Sequence, residues 1–401
     1  MNIIINTACN CDCDYCFAKE KSLNLNKNEM SIYEFKKIIS FMKKSSSYHI
    51  RILGGEPTLH SKFKEIINLS EKYAQKIDLF TNGLADRDKI KFLKNKNINY
   101  IVNFTARKFT KENKKNLSYF LKKLGRRCTL GINYNGNLDR KEIEEIIKTI
   151  KKYNLIPTLR LGISAPTNDF SNNYFNFKKG KKTINKDLRL LSKKLFDHSI
   201  TITHDCSCFP VCALSDNSLS FLKKHSNTEI RFSCYGGTFD ILPGNKVIRC
   251  FAHSGFKFSL NKFEDINDIN YHFYNLHNFL KKYVKPPKCE DCEFESKVCQ
   301  SGCWANRLSL LTELPNNGYN FSKNYLYFEN KNRIALINKE DFKKQILLED
   351  SSLEIFKLLL SDISKENIIK QLSRKYSTRK GRLIAELDGF LDVLKKKEIL
   401  I

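Results

Sequence analysis

The first 200 residues alternate between short, strongly apolar stretches and longer stretches in which apolar residues recur every three or four positions. Short apolar stretches are typical of buried strands, whereas the second spacing places apolar side chains on one face of a helix. The pattern predicts strands at residues 2–6, 49–53, 77–81, 98–104, 128–134 and 158–163. It predicts helices near residues 31–44, 61–75, 86–95, 110–124 and 139–153.

Two of these helices carry clear start signals. Ser31 and Glu34 form a capping-box pair, in which each side chain bonds a backbone N–H at the helix start. Asp139 and Glu142 give a similar signal before the apolar positions of the last helix.

Six strands alternating with helices predict an α/β fold in which a parallel sheet curls toward a partial (β/α)6 barrel, similar to a TIM barrel. Functional loops of such folds follow the carboxyl ends of the strands. Three polar motifs lie at such positions, namely the cysteines after the first strand, Gly54-Gly55-Glu56-Pro57 after the second, and Thr81-Asn82-Gly83 at the end of the third. We therefore expect these motifs to form one shared site.

The chain changes character after residue 200. We predict a core domain at 1–200, a cysteine-rich domain at 201–310 and a linker at 311–322, which contains Pro315-Asn-Asn-Gly. A small α+β domain is predicted at 323–401, with strands at 325–328 and 334–337 and helices near 351–360, 364–375 and 380–396.

Composition and charge narrow the class of protein. The 41% hydrophobic and 12% aromatic content is typical of a folded globular chain. No apolar run is long enough to cross a bilayer, and the first residues lack the features of a signal peptide, so we expect a cytoplasmic protein without a membrane partner. The formal charge of +27 fits either lysine-rich solvated helix faces or selection for an acidic partner.

Fourteen cysteines without an export signal favour metal binding over disulfides. Most of them fall into groups along the chain, and Cys128, which stands alone, is expected to be a small buried residue.

The first group, Cys9-Asn-Cys-Asp-Cys13-Asp-Tyr-Cys16, contains a C-x3-C-x2-C motif. This motif, with Gly54–Pro57 after the next strand, resembles the radical S-adenosylmethionine (SAM) superfamily, and residues 1–200 resemble its partial barrel. The resemblance implies that Cys9, Cys13 and Cys16 bind a [4Fe-4S] cluster whose fourth iron is open to SAM. Reductive cleavage of SAM would then give a 5′-deoxyadenosyl radical. A zinc site that also uses Cys11 is the alternative.

The resemblance also implies which residues contact SAM. The glycine-rich motif would approach its amino group, since glycines allow close backbone approach and Glu56 offers an acceptor. Tyr15 or Phe17 would pack near the adenine. Asn82 and Arg160 lie near strand ends and are further candidates, or ordinary polar residues of the rim. The expected SAM-binding residues are Tyr15, Phe17, Gly54, Gly55, Glu56, Pro57, Asn82 and Arg160.

The later cysteines resemble the SPASM domain of radical SAM peptide maturases. They include Cys234-x9-Gly244-x5-Cys250 and Cys289-x2-Cys292-x6-Cys299-x3-Cys303. Two spacings are one residue longer than usual, and the family's final cysteine is absent. Cys206, Cys208 and Cys212 lie upstream, and the count permits one or two auxiliary [4Fe-4S] clusters. The expected ligands are Cys206, Cys212, Cys234, Cys250, Cys289, Cys292, Cys299 and Cys303, with Cys208 unassigned. A zinc ribbon is the alternative for the last four.

Residues 323–401 resemble PqqD-like winged-helix domains, which bind a leader peptide as an added strand. The alternative is a winged helix that binds nucleic acid or packs on the enzyme. Together these resemblances imply an oxidoreductase-type maturase that modifies C–H bonds of a ribosomally synthesised peptide, reduced by a donor such as flavodoxin or ferredoxin. A thioether or C–C crosslink is the expected product, and epimerisation or oxidation remains open. The alternatives are a sulfatase-maturase-like enzyme that forms formylglycine and an iron–sulfur redox sensor that binds nucleic acid.

Overall fold

The computed structural model describes residues 1–16, 25, 27–104, 109–136, 138–166, 174–205, 208–225, 231–234, 238–295 and 297–401. The chain divides into two compact units. The first comprises Met1–Ile269 and Glu293–Asn306, and the second comprises Asn270–Cys292 and Arg307–Ile401. The predicted boundaries at residues 200, 310 and 322 stay predictions.

A ten-stranded sheet forms the framework of the first unit. Its strands are β1 (Asn2–Ile4), β2 (His49–Leu53), β3 (Lys76–Thr81), β4 (Asn99–Asn103), β5 (Cys128–Tyr134), β6 (Thr158–Ile163), β7 (Thr201–His204), β8 (Asp240–Leu242), β9 (Lys246–Ile248) and β10 (Phe258–Ser259). Strands β1 to β7 lie side by side in chain order, and each is parallel to the next. The predicted α/β class and parallel sheet are thereby confirmed.

The sheet extends beyond the six predicted strands at both edges. Strand β7 adds to β6, and β8 pairs in parallel with the opposite side of β1. Strands β9 and β10 continue from β8 in antiparallel pairs, so the segment around Gly244 is a hairpin joined to the main sheet. The hairpin that precedes Cys250 therefore belongs to the same sheet as the first strand.

Helices lie between the strands near the predicted positions. They are α1 (Ile32–Lys44), α2 (Phe63–Tyr73), α3 (Arg87–Lys94), α4 (Lys111–Leu124), α5 (Arg140–Lys152), α6 (Phe177–Phe196) and α7 (Asp216–His225), followed by α8 (Ile266–Tyr283) and α9 (Ala305–Leu308). The capping box of α1 forms as predicted, because Ser31 Oγ accepts from Glu34 N and Glu34 Oε2 accepts from Ser31 N. Asp139 caps α5 through Glu142 N. These caps fix where each helix begins.

Burial alternates along the strands, so that one face of the sheet is fully buried and the other carries polar groups. On β4, Tyr100 and Val102 are fully buried, whereas Ile101 and Asn103 are half-buried. Successive strand residues point to opposite sides, so Asn103 shares its face with Ile101. The polar face is the one available to the candidate site.

In the described residues, the second unit contains most of α8, a four-stranded antiparallel sheet and three further helices. Its elements are β11 (Thr312–Glu313), β12 (Tyr325–Glu329), β13 (Ile334–Asn338) and β14 (Gln345–Leu348), then α10 (Asp350–Leu360), α11 (Lys365–Tyr376) and α12 (Lys380–Lys396). Strand β11 lies within the predicted linker and β14 was not predicted. Phe321, which also falls in the predicted linker range, is buried in the core of this unit. None of the helices in the described ranges is long and apolar enough to cross a membrane.

Candidate functional site

The loops after β1 and β2 are held together by their backbones. Gly55 N donates to Asn6 O at 2.9 Å, and Glu56 N donates to Ala8 O at 2.7 Å. Asn6 is fully buried, and its Nδ2 donates to Glu56 O at 3.0 Å. These bonds fix the start of the cysteine loop against the Gly-Gly-Glu-Pro motif.

Both glycines of this motif are required by close packing. A Cβ on Gly54 would lie 2.1 Å from Asn6 Oδ1, and a Cβ on Gly55 would lie 2.4 Å from Thr7 O and 2.5 Å from Ala8 O. Real Cβ atoms do not approach so closely, and backbone carbonyls cannot swing aside as a side chain can. The glycines thus let the two loops come into direct contact.

Glu56 is buried beneath the two loops. Its Oε1 accepts from Thr58 Oγ1 at 2.7 Å, Thr58 N at 3.2 Å and Thr81 Oγ1 at 2.8 Å, and its Oε2 accepts from Asn82 N at 2.7 Å. Burial raises the pKa of Glu56, and these hydrogen bonds oppose the rise. The same carboxylate caps a short 3-10 turn at Pro57–Leu59, so it joins the end of β2 to the end of β3. A carboxylate so enclosed is already occupied by protein donors.

Asn82, at the end of β3, contacts the cysteine loop. Its Nδ2 lies 2.6 Å from Asn10 Oδ1, 3.4 Å from Cys11 Sγ and 4.0 Å from Cys9 Sγ, and its Oδ1 accepts from Leu84 N. The three motifs predicted to form one site therefore do meet in space.

The cysteine thiols lie at or near the surface of this assembly. Cys9 is exposed, while Cys11, Cys13 and Cys16 are half-buried, and Cys16 N donates to Cys13 O at 3.1 Å. A hydrogen bond from the Cys11 thiol lowers the pKa of Cys9 to about 7, and the same bond, with burial, raises the pKa of Cys11. A thiol with a lowered pKa is more readily present as the thiolate that binds iron.

Tyr15 anchors the far end of the cysteine loop. The Tyr15 hydroxyl lies 3.2 Å from Asn103 Nδ2 at the end of β4, and Asn133 on β5 donates to Asn103 Oδ1 at 3.4 Å. Burial raises the pKa of Tyr15. Asn103 and Asn133 were not predicted as site residues. The sequence pattern that could have indicated them is an asparagine at or near the carboxyl end of an apolar strand, as at Asn82.

Arg160, a candidate SAM contact on β6, interacts with two residues of the protein itself. Its guanidinium forms an ion pair with Asp205 and lies 4.8 Å from the centroid of the Phe80 ring. Phe17, the other candidate for adenine packing, lies outside the described residues.

The donor set of the loop fits an iron–sulfur cluster, because its three predicted ligands are thiols. In the part of the chain that the structure describes, no three His, Cys, Asp or Glu side chains lie close enough to bind a single metal ion.

The later cysteines are divided between the two units. Cys234, Cys250, Cys299 and Cys303 belong to the first unit, and Cys289 and Cys292 belong to the second. Cys299 and Cys303 are buried, Cys212 is exposed, and Cys206 lies outside the described residues. Cys250 Sγ lies 3.2 Å from Nδ1 of the fully buried His253, a contact that the sequence analysis did not predict. Cys128, the cysteine that stands alone, is fully buried.

Comparison with known proteins agrees with this geometry. Residues 3–104, which span β1 to β4 and the three motifs, match the model of the Radical SAM superfamily. Among curated protein sequences, none matches this chain. The fold is similar to solved structures of SuiB from Streptococcus suis. The structure bound to S-adenosylmethionine has 16% identity and a TM-score of 0.54, covering 76% of this chain and 72% of SuiB. The structure bound to the precursor peptide SuiA has 17% identity and a TM-score of 0.55, covering 76% and 71%.

Residues 3–104 therefore form a radical SAM domain, and the protein is an enzyme. A radical SAM domain implies a [4Fe-4S] cluster and SAM as cofactors.

Proposed function

We propose that this enzyme uses SAM to modify C–H bonds of a ribosomally synthesised peptide. The observation that carries the radical part of the proposal is the assembly of the cysteine loop, Gly54-Gly55 and Asn82 at three neighbouring strand ends. The peptide part draws support from the fold, which is similar to that of SuiB, whose structure has been solved with its precursor peptide.

Each residue of the site has a distinct role in the proposal. Cys9, Cys13 and Cys16 would hold the cluster, which supplies the electron that cleaves SAM to a 5′-deoxyadenosyl radical. Gly54 and Gly55 bring the backbone close enough to approach the SAM amino group. Glu56 acts as a positioning residue, because its carboxylate is occupied by the ends of β2 and β3.

The radical assignment is tested by SAM cleavage in protein reconstituted without oxygen. Reduced wild-type protein should form 5′-deoxyadenosine, and Cys13→Ala should abolish this because a cluster ligand is lost. Cys11→Ala is the matched control from the same loop and should retain most of the activity. Equal loss in both variants would instead support a site that uses all four cysteines, and full turnover in Cys13→Ala would refute the assignment.

The second unit offers a place for the leader of such a peptide. Strand β14 ends the four-stranded sheet, pairing only with β13 among the described strands. Beside its first residue, Gln345, lies a groove of about 450 Å³ lined by aromatic rings, including Tyr283 and Phe342, and by Lys282 and Lys343. An added strand at β14 would enter beside this groove, whose lysines favour an acidic segment.

Charge reversal tests this docking mode. We expect Lys282→Glu with Lys343→Glu to weaken binding of a candidate precursor peptide with an acidic leader, measured by fluorescence anisotropy on the full chain. Uncoupled SAM cleavage should remain unchanged. Lys370→Glu with Lys396→Glu, at exposed sites on α11 and α12, is the matched control and should bind normally. Weaker binding in the control alone, or tight binding to random duplex DNA with none to the precursor, would contradict the proposal.

The later cysteines are proposed to hold one or two auxiliary [4Fe-4S] clusters, and flavodoxin or ferredoxin is the expected electron donor. With three clusters the chain should contain roughly twelve irons, and the Cys9/Cys13/Cys16 triple alanine variant roughly eight. A retained value of about four would mean a single auxiliary cluster.

A further inference from the structure

A sharp turn places Cys303 beside an upstream segment of the chain. Ser301 and Gly302 both adopt left-handed backbone conformations, with φ of 60° and 81°. A Cβ on Gly302 would lie 2.9 Å from the Cys208 carbonyl oxygen and 2.9 Å from Pro210 Cδ. Only glycine allows this approach, so the turn before Cys303 is packed directly on the backbone at Cys208.

Two hydrogen bonds join a third segment, residues 231–234, to the segments that contain Cys208 and Cys299. Phe209 N donates to Arg231 O at 3.2 Å, and Ser233 Oγ donates to Val298 O at 2.9 Å. The segments that contain Cys208, Cys234, Cys299 and Cys303 are therefore fixed against one another within the first unit.

The neighbouring cysteine, Cys212, has a different environment. It lies on a 3-10 turn at Val211–Ala213 and is exposed, whereas Cys299 and Cys303 are buried. Cys208 is half-buried, at the contact with the turn of Gly302. Of these two cysteines, Cys208 is the one whose backbone packs against the turn that precedes Cys303.

We propose that Cys208 supplies a thiolate to the auxiliary cluster that Cys303 binds, and that Cys212 does not. A fully ligated four-iron cluster takes four thiolates, and the chain has no cysteine after Cys303 to act as the last one. Cys208 is the unassigned cysteine that the structure places against the Cys303 turn. This inference rests on the proposed auxiliary clusters.

The experiment uses full-length protein in which Cys9, Cys13 and Cys16 are alanine, so that all remaining iron belongs to auxiliary clusters. Adding Cys208→Ala should remove up to about four irons per chain, or leave a cluster whose electron paramagnetic resonance spectrum is changed. Adding Cys212→Ala, four residues away, should change neither the iron content nor the spectrum. Unchanged iron and spectrum in Cys208→Ala, or losses in Cys212→Ala alone, would overturn the inference while leaving the clusters intact. A parent variant without iron would overturn the auxiliary clusters themselves.

Wild-type protein supplies a second test that does not depend on a variant folding. Iodoacetamide should alkylate Cys212 at similar rates before and after iron is removed by a chelator. Cys208 should be protected in the loaded protein and become reactive after chelation, as read by peptide mass spectrometry. Equal reactivity of Cys208 in both states would contradict its assignment as a ligand.

Discussion

Replacing Gly55 by alanine tests whether the contact between the first two loops positions the cluster site. The new Cβ would lie 2.4 Å from Thr7 O and 2.5 Å from Ala8 O, whereas ordinary contacts begin at 3.4 Å. The loop must therefore shift by about 1 Å, immediately before Cys9. Displacements of about 1 Å at a reacting group can reduce rates roughly 100-fold. We expect Gly55→Ala to lower SAM cleavage by about that factor, with a loss of bound iron at the first cluster.

The assay follows 5′-deoxyadenosine by chromatography and iron per chain by colorimetry, after reconstitution under identical conditions. Gly381→Ala is the control, because its Cβ would meet nothing within 4 Å and it lies on α12. That change should leave cleavage and iron at wild-type values and slightly favour the helix. Wild-type iron and cleavage in Gly55→Ala would refute the idea that this contact sets the position of Cys9.

Three further predictions concern buried polar groups. Glu56→Gln replaces one carboxylate oxygen by an NH2 group, which must then face a backbone donor, either Asn82 N or Thr58 N, so we expect a loss of about 1–3 kcal/mol in unfolding free energy, measured in urea. Burial raises the pKa of Asp240 to about 7, so the folded state holds a proton that the unfolded state releases above about pH 4. The free energy of unfolding of the wild type should therefore fall as pH rises from about 4 to 7, by an amount on the order of 4 kcal/mol. Asp240→Asn should remove that fall, and parallel pH profiles of urea unfolding for the variant and the wild type would contradict this. Arg307→Met removes a fully buried guanidinium that donates to Leu280 O near the end of α8 and to Val284 O just beyond it. The change should cost about 3 kcal/mol in the unfolding of the second unit, and an unchanged transition would contradict this.

The long elements were predictable because their patterns repeat. Strands of five or more residues such as β2, β5 and β6 bury at least every second side chain, and helices such as α5 repeat isoleucines on one face. Strands β8 to β10 have two or three residues each, which is too few to show a period. Their place beside β1 depends on pairing across more than 200 residues, which no local pattern indicates.

The meeting of the three motifs was predictable from the sequence, whereas their supporting contacts were less so. The assignment of Cys9, Cys13 and Cys16 as cluster ligands comes from the resemblance of their spacing to the radical SAM motif, and it stays a prediction. The direction of the Glu56 side chain could not be predicted from the sequence. Glu56 was expected to offer an acceptor to the SAM ammonium, whereas its carboxylate is fully buried among protein donors. A motif specifies residue types, but only the fold decides which side chains face the ligand and which hold the loops.

The arrangement of contacts along the cysteine loop explains how thiols can remain available for iron in a well-fixed site. The loop is held before Cys9 by the backbone bonds to Gly55 and Glu56, and beyond Cys13 by Tyr15 and Asn103. Between these anchors, the cysteines are exposed or half-buried. Fixing the ends restricts where the thiols can go without burying them, so less conformational freedom is lost when a cluster binds. Since the anchors lie at the ends of two separate strands, β2 and β4, the site depends on the sheet being assembled, and cluster binding should in turn stabilise the folded sheet.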